Sequence, residues 1–129
     1  MTGPSVRLVP FVREDAQVSD EIEWLTVPEA ADRLGEPVTR VHQLLRDGSL
    51  AGQRGGDGVL RVPAGFLQDG AVLKGLPGVL TLLRDGGFTE DEAIHWLHAE
   101  DATLPGTPVE ALRGNRGREV RRRAQAMAF

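Results

Sequence analysis

Cysteine and tyrosine are both missing from this chain of 129 residues, and beyond histidine its aromatic side chains are two Trp and four Phe. Without cysteine there is no disulfide framework, no thiolate zinc site and no thiol nucleophile. Apolar residues nowhere run for the roughly 18 to 20 positions that a bilayer crossing requires. No basic segment followed by an apolar one stands at the N-terminus, so the expectation is a soluble, cytoplasmic protein without a membrane partner. What the chain does contain is ordinary for a globular domain: 40% apolar and 26% charged residues, with 16 Gly and 8 Pro announcing many turns. Its length suits one compact domain, or one domain with an appended helical segment.

A formal net charge of −4 argues mildly against nucleic acid as a partner, but the charges fall in blocks. Residues 1–37 hold three Arg against eight acids, and residues 38–74 hold five basic residues against three acids. Residues 75–101 carry one Arg against six acids, whereas residues 102–129 carry six Arg against two. Blocks that fold apart leave a basic face on a globally acidic protein, which is what phosphate recognition needs.

Residues 1–23 show a short apolar alternation at Val6, Leu8 and Val9 among acids, and read as an arm or an edge strand. Thr2 and Ser5 are hydroxyl groups open to modification there. At Trp24-Leu25-Thr26 a helical pattern begins: Thr26 and Glu29 have capping-box spacing, Pro28 suits a first turn, and Gly35 stops a helix over Val27 to Leu34. After the turn Gly35-Glu36-Pro37, Val38, Val41, Leu44 and Leu45 recur at helical spacing until Asp47-Gly48. The period then changes. Leu50 to Arg54 and Val59 to Val62 read as two strands joined by Gly55-Gly56-Asp57-Gly58, with Pro63 closing the second and a helical turn beginning at Ala64.

The remainder is predicted helical. Val79, Leu80, Leu82 and Leu83 form one pattern after Pro77-Gly78, and Thr89 caps another bearing Ala93, Ile94, Trp96 and Leu97. A Pro/Gly loop, Leu104 to Pro108, precedes Val109 to Leu112, and Glu119 to Met127 places Val120, Ala124 and Met127 on one side. The expected architecture is α+β: a mainly α fold with a small hairpin wing, in which an N-terminal arm (1–23) leads to a winged helix-turn-helix (24–74) and a C-terminal helical segment (75–129) packs on the same domain.

The second helix of a helix-turn-helix lies in the major groove. With Val38, Val41, Leu44 and Leu45 inward, Thr39, Arg40, His42, Gln43 and Arg46 point outward. Arg forks onto guanine, Gln onto adenine, and Thr bonds phosphate or touches a thymine methyl. Arg54 and Arg61 flank the wing tip, placed for backbone phosphates, and Lys74 adds a charge nearby. These seven residues, without Lys74, are the candidate DNA-binding set. The C-terminal arginines (Arg113, Arg116, Arg118, Arg121, Arg122 and Arg123) admit two readings: an extended phosphate footprint, or pairing with the acidic stretch Asp85 to Asp101, the latter favoured because it relieves self-repulsion.

No catalytic centre, cofactor or metal is expected. His42, His95 and His98 make no HExxH-type pair, and the three-residue spacing of His95 and His98 beside Trp96 suits a half-buried helix side more than a metal site. Gly55-Gly56-Asp57-Gly58 lacks both the Lys-Ser/Thr of a P-loop and GxGxxG spacing. Trp24 and Trp96 read as core anchors in helical context rather than platforms for single strands.

Leu25-Thr26-Val27-Pro28-Glu29-Ala30-Ala31, with Val38-Thr39-Arg40-Val41 and Leu44-Leu45-Arg46-Asp47-Gly48-Ser49-Leu50, resembles the helix-turn-helix of MerR and excisionase-like winged-helix proteins. Over nearly everything after Trp24 the chain more closely resembles a family of small actinobacterial winged-helix DNA-binding proteins, one of which is a serine/threonine kinase substrate. The residues that carry this are Leu73 to Leu83, Asp85-Gly86-Gly87-Phe88, Trp96-Leu97 and Glu119 to Ala128. The resemblance implies a sequence-binding or architectural DNA protein with no catalytic centre and a helical C-terminal part completing the fold; with the winged helix-turn-helix pattern, the expectation is a transcriptional regulator that is nucleoid-associated when bound. Thr2 is the only Thr before Trp24, and this short arm does not clearly reproduce a kinase-target segment. A weaker similarity, through Trp96-Leu97, Leu104 to Leu112 and Glu119-Val120, is to the toxin-binding domain of Xre-type antitoxins. It implies the alternative of an antitoxin-like or adaptor protein that docks a protein partner, or a second copy, through its C-terminal helices.

Overall fold

A computed structural model describes residues 22–127. The arm, with Val6, Leu8, Val9, Thr2 and Ser5, therefore lies outside the described residues.

The first described element is a strand. Trp24–Thr26 (β1) pairs antiparallel with Leu60–Pro63 (β3), which in turn pairs with Gln53–Arg54 (β2), giving a three-stranded sheet of order β1-β3-β2. This corrects the helical context read for Trp24. Its cause is local: Thr26 caps the following helix from an extended backbone (φ −69°, ψ 165°), so the chain enters the cap already in strand geometry. Leu25 turns inward opposite Val62, and both are buried.

Helix α1 (Val27–Leu34) starts with a complete capping box: Glu29 N–H donates to Thr26 Oγ1 at 3.3 Å, and Thr26 N–H donates to Glu29 Oε1 at 2.8 Å. These bonds, with the backbone contribution largest, hold the Glu29 carboxyl below its usual range. Gly35 ends the helix at φ +65°, and α2 (Val38–Arg46) follows. The 3-10 turn Ala64–Phe66 comes after β3, as the sequence suggests, and leads into a second hairpin that was not expected, Leu67–Gln68 (β4) with Ala71–Val72 (β5). Asp69 and Gly70 make its turn with φ of +55° and +76°.

Four helices complete the described residues: α3 (Leu76–Asp85), α4 (Glu90–His98), α5 (Pro108–Arg113) and α6 (Gly117–Met127). Thr89 with Glu92, and Thr107 with Glu110, repeat the capping box of α1. Val41, Leu50, Val62 and Phe66 from the N-terminal part share one buried cluster with Leu76, Leu80, Leu83, Ile94, Leu97 and Val120. The C-terminal helices thus close the core beneath the helix-turn-helix.

Two inward assignments are corrected at helix ends. Val38 is 39% exposed, and Met127 is 48% exposed, because each lies in a terminal turn with no further helix to cover it. Trp24 and Trp96 pack only partly against the core. With Ile22, Phe88, Asp91 and Glu92 they line an open groove of about 670 Å³.

Candidate nucleic-acid interface

The helical period of α2 puts Val41 and Leu44 into the core and leaves Thr39, Arg40, His42, Gln43 and Arg46 exposed together on its outer side. Arg40 Nη1 donates to Gln43 Oε1 at 3.1 Å, one turn apart, so the two side chains form a small polar platform. Pro37 is the N-cap residue; Arg40 N–H donates to its carbonyl at 2.9 Å, and no side chain caps the Val38 and Thr39 amides at the positive end of the helix dipole. Exposed Val38 stands at this same end. Sequence reasoning missed it by extending the inward stripe to a first-turn position that has no preceding turn to lie over.

The far end of α2 is anchored. Ser49 N–H donates to Asp47 Oδ1 at 3.1 Å, and the Ser49 hydrogen bonds hold the Asp47 carboxyl below its usual range. Leu50 N–H closes on the Leu44 carbonyl at 3.2 Å. Arg84 of α3 donates to the Gly48 carbonyl at 2.9 Å, and Glu90 of α4 accepts from Gly52 N–H at 3.0 Å. Arg84 and Glu90 meet at 3.6 Å, so one ion pair fastens both sides of the segment linking α2 to the wing.

In the wing, Arg54 and Arg61 differ. Arg54 is exposed and donates to the Gly58 carbonyl at 2.8 Å, leaving other guanidinium donors toward solvent. Arg61 is half-buried and grips Asp57 with two hydrogen bonds of 3.1 and 3.0 Å. Asp57 also accepts from Val59 N–H at 3.0 Å, and the Arg61 bonds, aided by that amide, lower its carboxyl to about 2. The same pairing raises the Arg61 guanidinium further. Asp57 was visible in the Gly-rich connection, but its four-residue spacing to Arg61 was not used.

The C-terminal arginines divide. Arg113 donates to the Gly65 and Leu67 carbonyls at 3.1 and 2.7 Å, and Arg116 to the Leu104 carbonyl at 2.9 Å. Arg123 binds Thr103 through Oγ1 and its carbonyl, and approaches Asp101 at 3.9 Å. Pairing with the acidic stretch is therefore confined, among the described residues, to Arg123 with Asp101. Arg113 and Arg116 instead serve main-chain carbonyls that need donors. Arg118, Arg121 and Arg122 are exposed.

His98 faces the core. Its Nδ1 lies 2.8 Å from the Ile94 carbonyl, which only accepts, so this nitrogen carries the proton, and the ring packs on Phe66 with centroids 5.4 Å apart.

A capped first helix, a tight glycine turn, an exposed second helix and a β-hairpin inside a small antiparallel sheet define a winged helix-turn-helix protein. The chain belongs to the family of the DNA-binding protein Rv2175c. The winged helix-turn-helix domain of that family matches residues 12–67, and its C-terminal domain, described as of unknown function, matches residues 73–128. The DNA-binding protein Rv2175c of Mycobacterium tuberculosis is 42% identical over 115 residues, covering 80% of this chain and 79% of that protein. An NMR structure of Rv2175c matches with a TM-score of 0.77 and 38% identity, over 84% of this chain and 83% of that one.

Proposed function

We propose that this protein binds duplex DNA as a non-enzymatic transcriptional regulator, with α2 in the major groove and the wing on the adjacent backbone. The observation that carries the reading is the outer side of α2, where five hydrogen-bonding side chains stand exposed on a helix braced from behind by α3. Arg40, Gln43 and Arg46 face base edges, Thr39 and His42 contact phosphate or sugar, and the Val38 methyls meet a thymine methyl. The Val38 and Thr39 amides at the start of α2, which no side chain caps, donate to a phosphate oxygen. Arg54 supplies a phosphate contact from the wing, while Arg61 holds the wing tip in shape through Asp57. Residues 24–74 read the duplex and residues 75–129 brace them. The name of the Mycobacterium tuberculosis relative supports the same reading.

The test is fluorescence anisotropy with duplexes from the gene's own upstream region and scrambled controls, at two salt concentrations. Tighter, steeply salt-dependent binding to the native sequence is expected. Equal or absent binding to both at low salt overturns a sequence-reading role.

A further inference from the structure

Of the six C-terminal arginines, three donate to main-chain carbonyls of other segments and three do not. Arg118, Arg121 and Arg122 fall at i, i+3 and i+4 of α6, with Arg118 and Arg122 on the side away from buried Val120 and Ala124 and Arg121 on its flank. No hydrogen bond or ion pair engages them among the described residues. Lys74 joins Arg118 and Arg122 across a shallow groove of about 660 Å³ that also holds Arg116 and Glu119, and the one carboxylate there, Glu119, already faces Arg116 at 3.9 Å. The face is net positive.

Its position connects it to α2. Gly78 on α3 has no side chain where the Arg121 guanidinium passes; a Cβ there would lie 3.1 Å from Nη1. The preceding residue, Pro77, lines the same groove as Arg40. Arg121 and Arg40 thus approach adjacent residues, Gly78 and Pro77, of the first turn of α3. On a duplex, phosphates follow one another closely enough for Arg121 to engage the backbone beside the base edges that Arg40 faces.

We propose that Arg118, Arg121 and Arg122 of α6, with Lys74, form a second phosphate-binding surface that extends the DNA footprint of α2 into the C-terminal domain. The proposal rests on the duplex-binding reading above. An acidic protein partner would also suit these charges, but adjacency to Arg40 favours the nucleic acid. Phosphate contacts of this kind add affinity to any sequence and carry no base preference.

The experiment compares the full chain with the R118Q/R121Q/R122Q variant and with Arg40→Ala, using anisotropy on native and scrambled duplexes across a salt series. All three substituted arginines are exposed, and circular dichroism melting checks that the variant keeps the wild-type fold. The expected result is weaker binding to both duplexes alike, with a plot of log affinity against log salt shallower by about 2 to 3, near 0.9 for each phosphate released. Arg40→Ala is expected instead to lose preference for the native duplex. Wild-type affinity and slope in the triple variant, with the wild type itself binding, overturn this proposal alone and assign the face to a protein partner. A wild type that binds no duplex overturns both this proposal and the functional reading beneath it.

Discussion

Arg84, in the last turns of α3, places its guanidinium 2.9 Å from the Gly48 carbonyl just beyond the end of α2. Gly48 sits at φ +83°, a backbone conformation that favours glycine, and a Cβ on it would come within 2.9 Å of Arg84 Nη1 and push the guanidinium aside. Through Glu90 the same guanidinium is linked to Gly52 at the start of the wing. The C-terminal helices thereby tie the end of α2 to the start of the hairpin.

Removing that link frees a part-buried carbonyl. Arg84→Ala is expected to destabilise the protein by about 1 to 2 kcal/mol, the value of a charge-assisted bond reduced for partial exposure. Arg84→Lys recovers only part of this, since one ammonium does not reproduce the planar fork that serves Gly48 and Glu90 together. Urea denaturation measures the loss, and faster amide exchange at Gly52 localises it. A variant as stable as wild type, with Gly52 equally protected, would show the clamp to be inert.

The wing tip makes a prediction about pH. Asp57 has an ordinary value of 3.8 and is lowered to about 2 by Arg61 and the Val59 amide. A carboxyl lowered on folding contributes its stabilisation above the unfolded value and loses it as pH falls through the folded one. The ion pair is thus complete above about pH 4 and dissolves as pH approaches about 2. Carboxyl carbon shifts followed by NMR should give Asp57 a midpoint near 2, moving up toward 3.8 in Arg61→Gln. A wild-type midpoint near 3.8 would mean that the pair does not persist in solution.

Local chemistry made much of this fold readable in the chain. Thr26 with Glu29 and Thr89 at the start of its helix announce their elements within a single turn, and the outward residues of α2 follow from the period of Val41 and Leu44. β1 was misread because three residues give no period of their own, and its partner, β3, lies far along the chain. Asp69-Gly70 was a legible hairpin signal, but strands of two residues flank it, too short to alternate. The division of the C-terminal arginines was beyond reach. Arg113 and Arg116 answer to carbonyls of Gly65, Leu67 and Leu104, and only the packed loops bring those carbonyls within range.

On α2, Arg40 and Gln43 already share a hydrogen bond, so in the proposed DNA contact their contributions should be coupled. Arg40→Ala is expected to weaken specific binding by about 1 to 3 kcal/mol, as for loss of a bidentate base contact. The Arg40→Ala, Gln43→Ala double variant should lose less than the sum of the single losses, because each single change also frees its neighbour from the platform. Arg54→Ala should lower affinity for every sequence and reduce the salt slope by about 1. Anisotropy on native and scrambled duplexes separates the two behaviours. If Arg40→Ala reduces both affinities equally, Arg40 is a phosphate contact and base reading falls to Gln43 and Arg46.

His98 provides a second pH response, of opposite origin to that of Asp57. Burial against Phe66 lowers the imidazole below its ordinary 6.5, partly offset by the bond to the Ile94 carbonyl, while His95 on the same helix adds a small repulsion. The unfolded chain takes up this proton near 6.5 and the folded chain only at lower pH, so stability is full above about 6.5 and declines as pH falls below it. His98→Gln retains a donor for the Ile94 carbonyl and has no proton to gain, so its stability should change less between pH 7 and about pH 5. Phe66→Ala, by contrast, removes a fully buried ring from beneath His98 and is expected to cost about 3 to 5 kcal/mol at any pH. Water admitted to that space would let the imidazole charge more easily, so the variant should also show a flatter pH dependence in this range. Parallel pH profiles for wild type, His98→Gln and Phe66→Ala would place the titration elsewhere. A flattened profile in both variants ties it to this one ring and to the core that the C-terminal helices close.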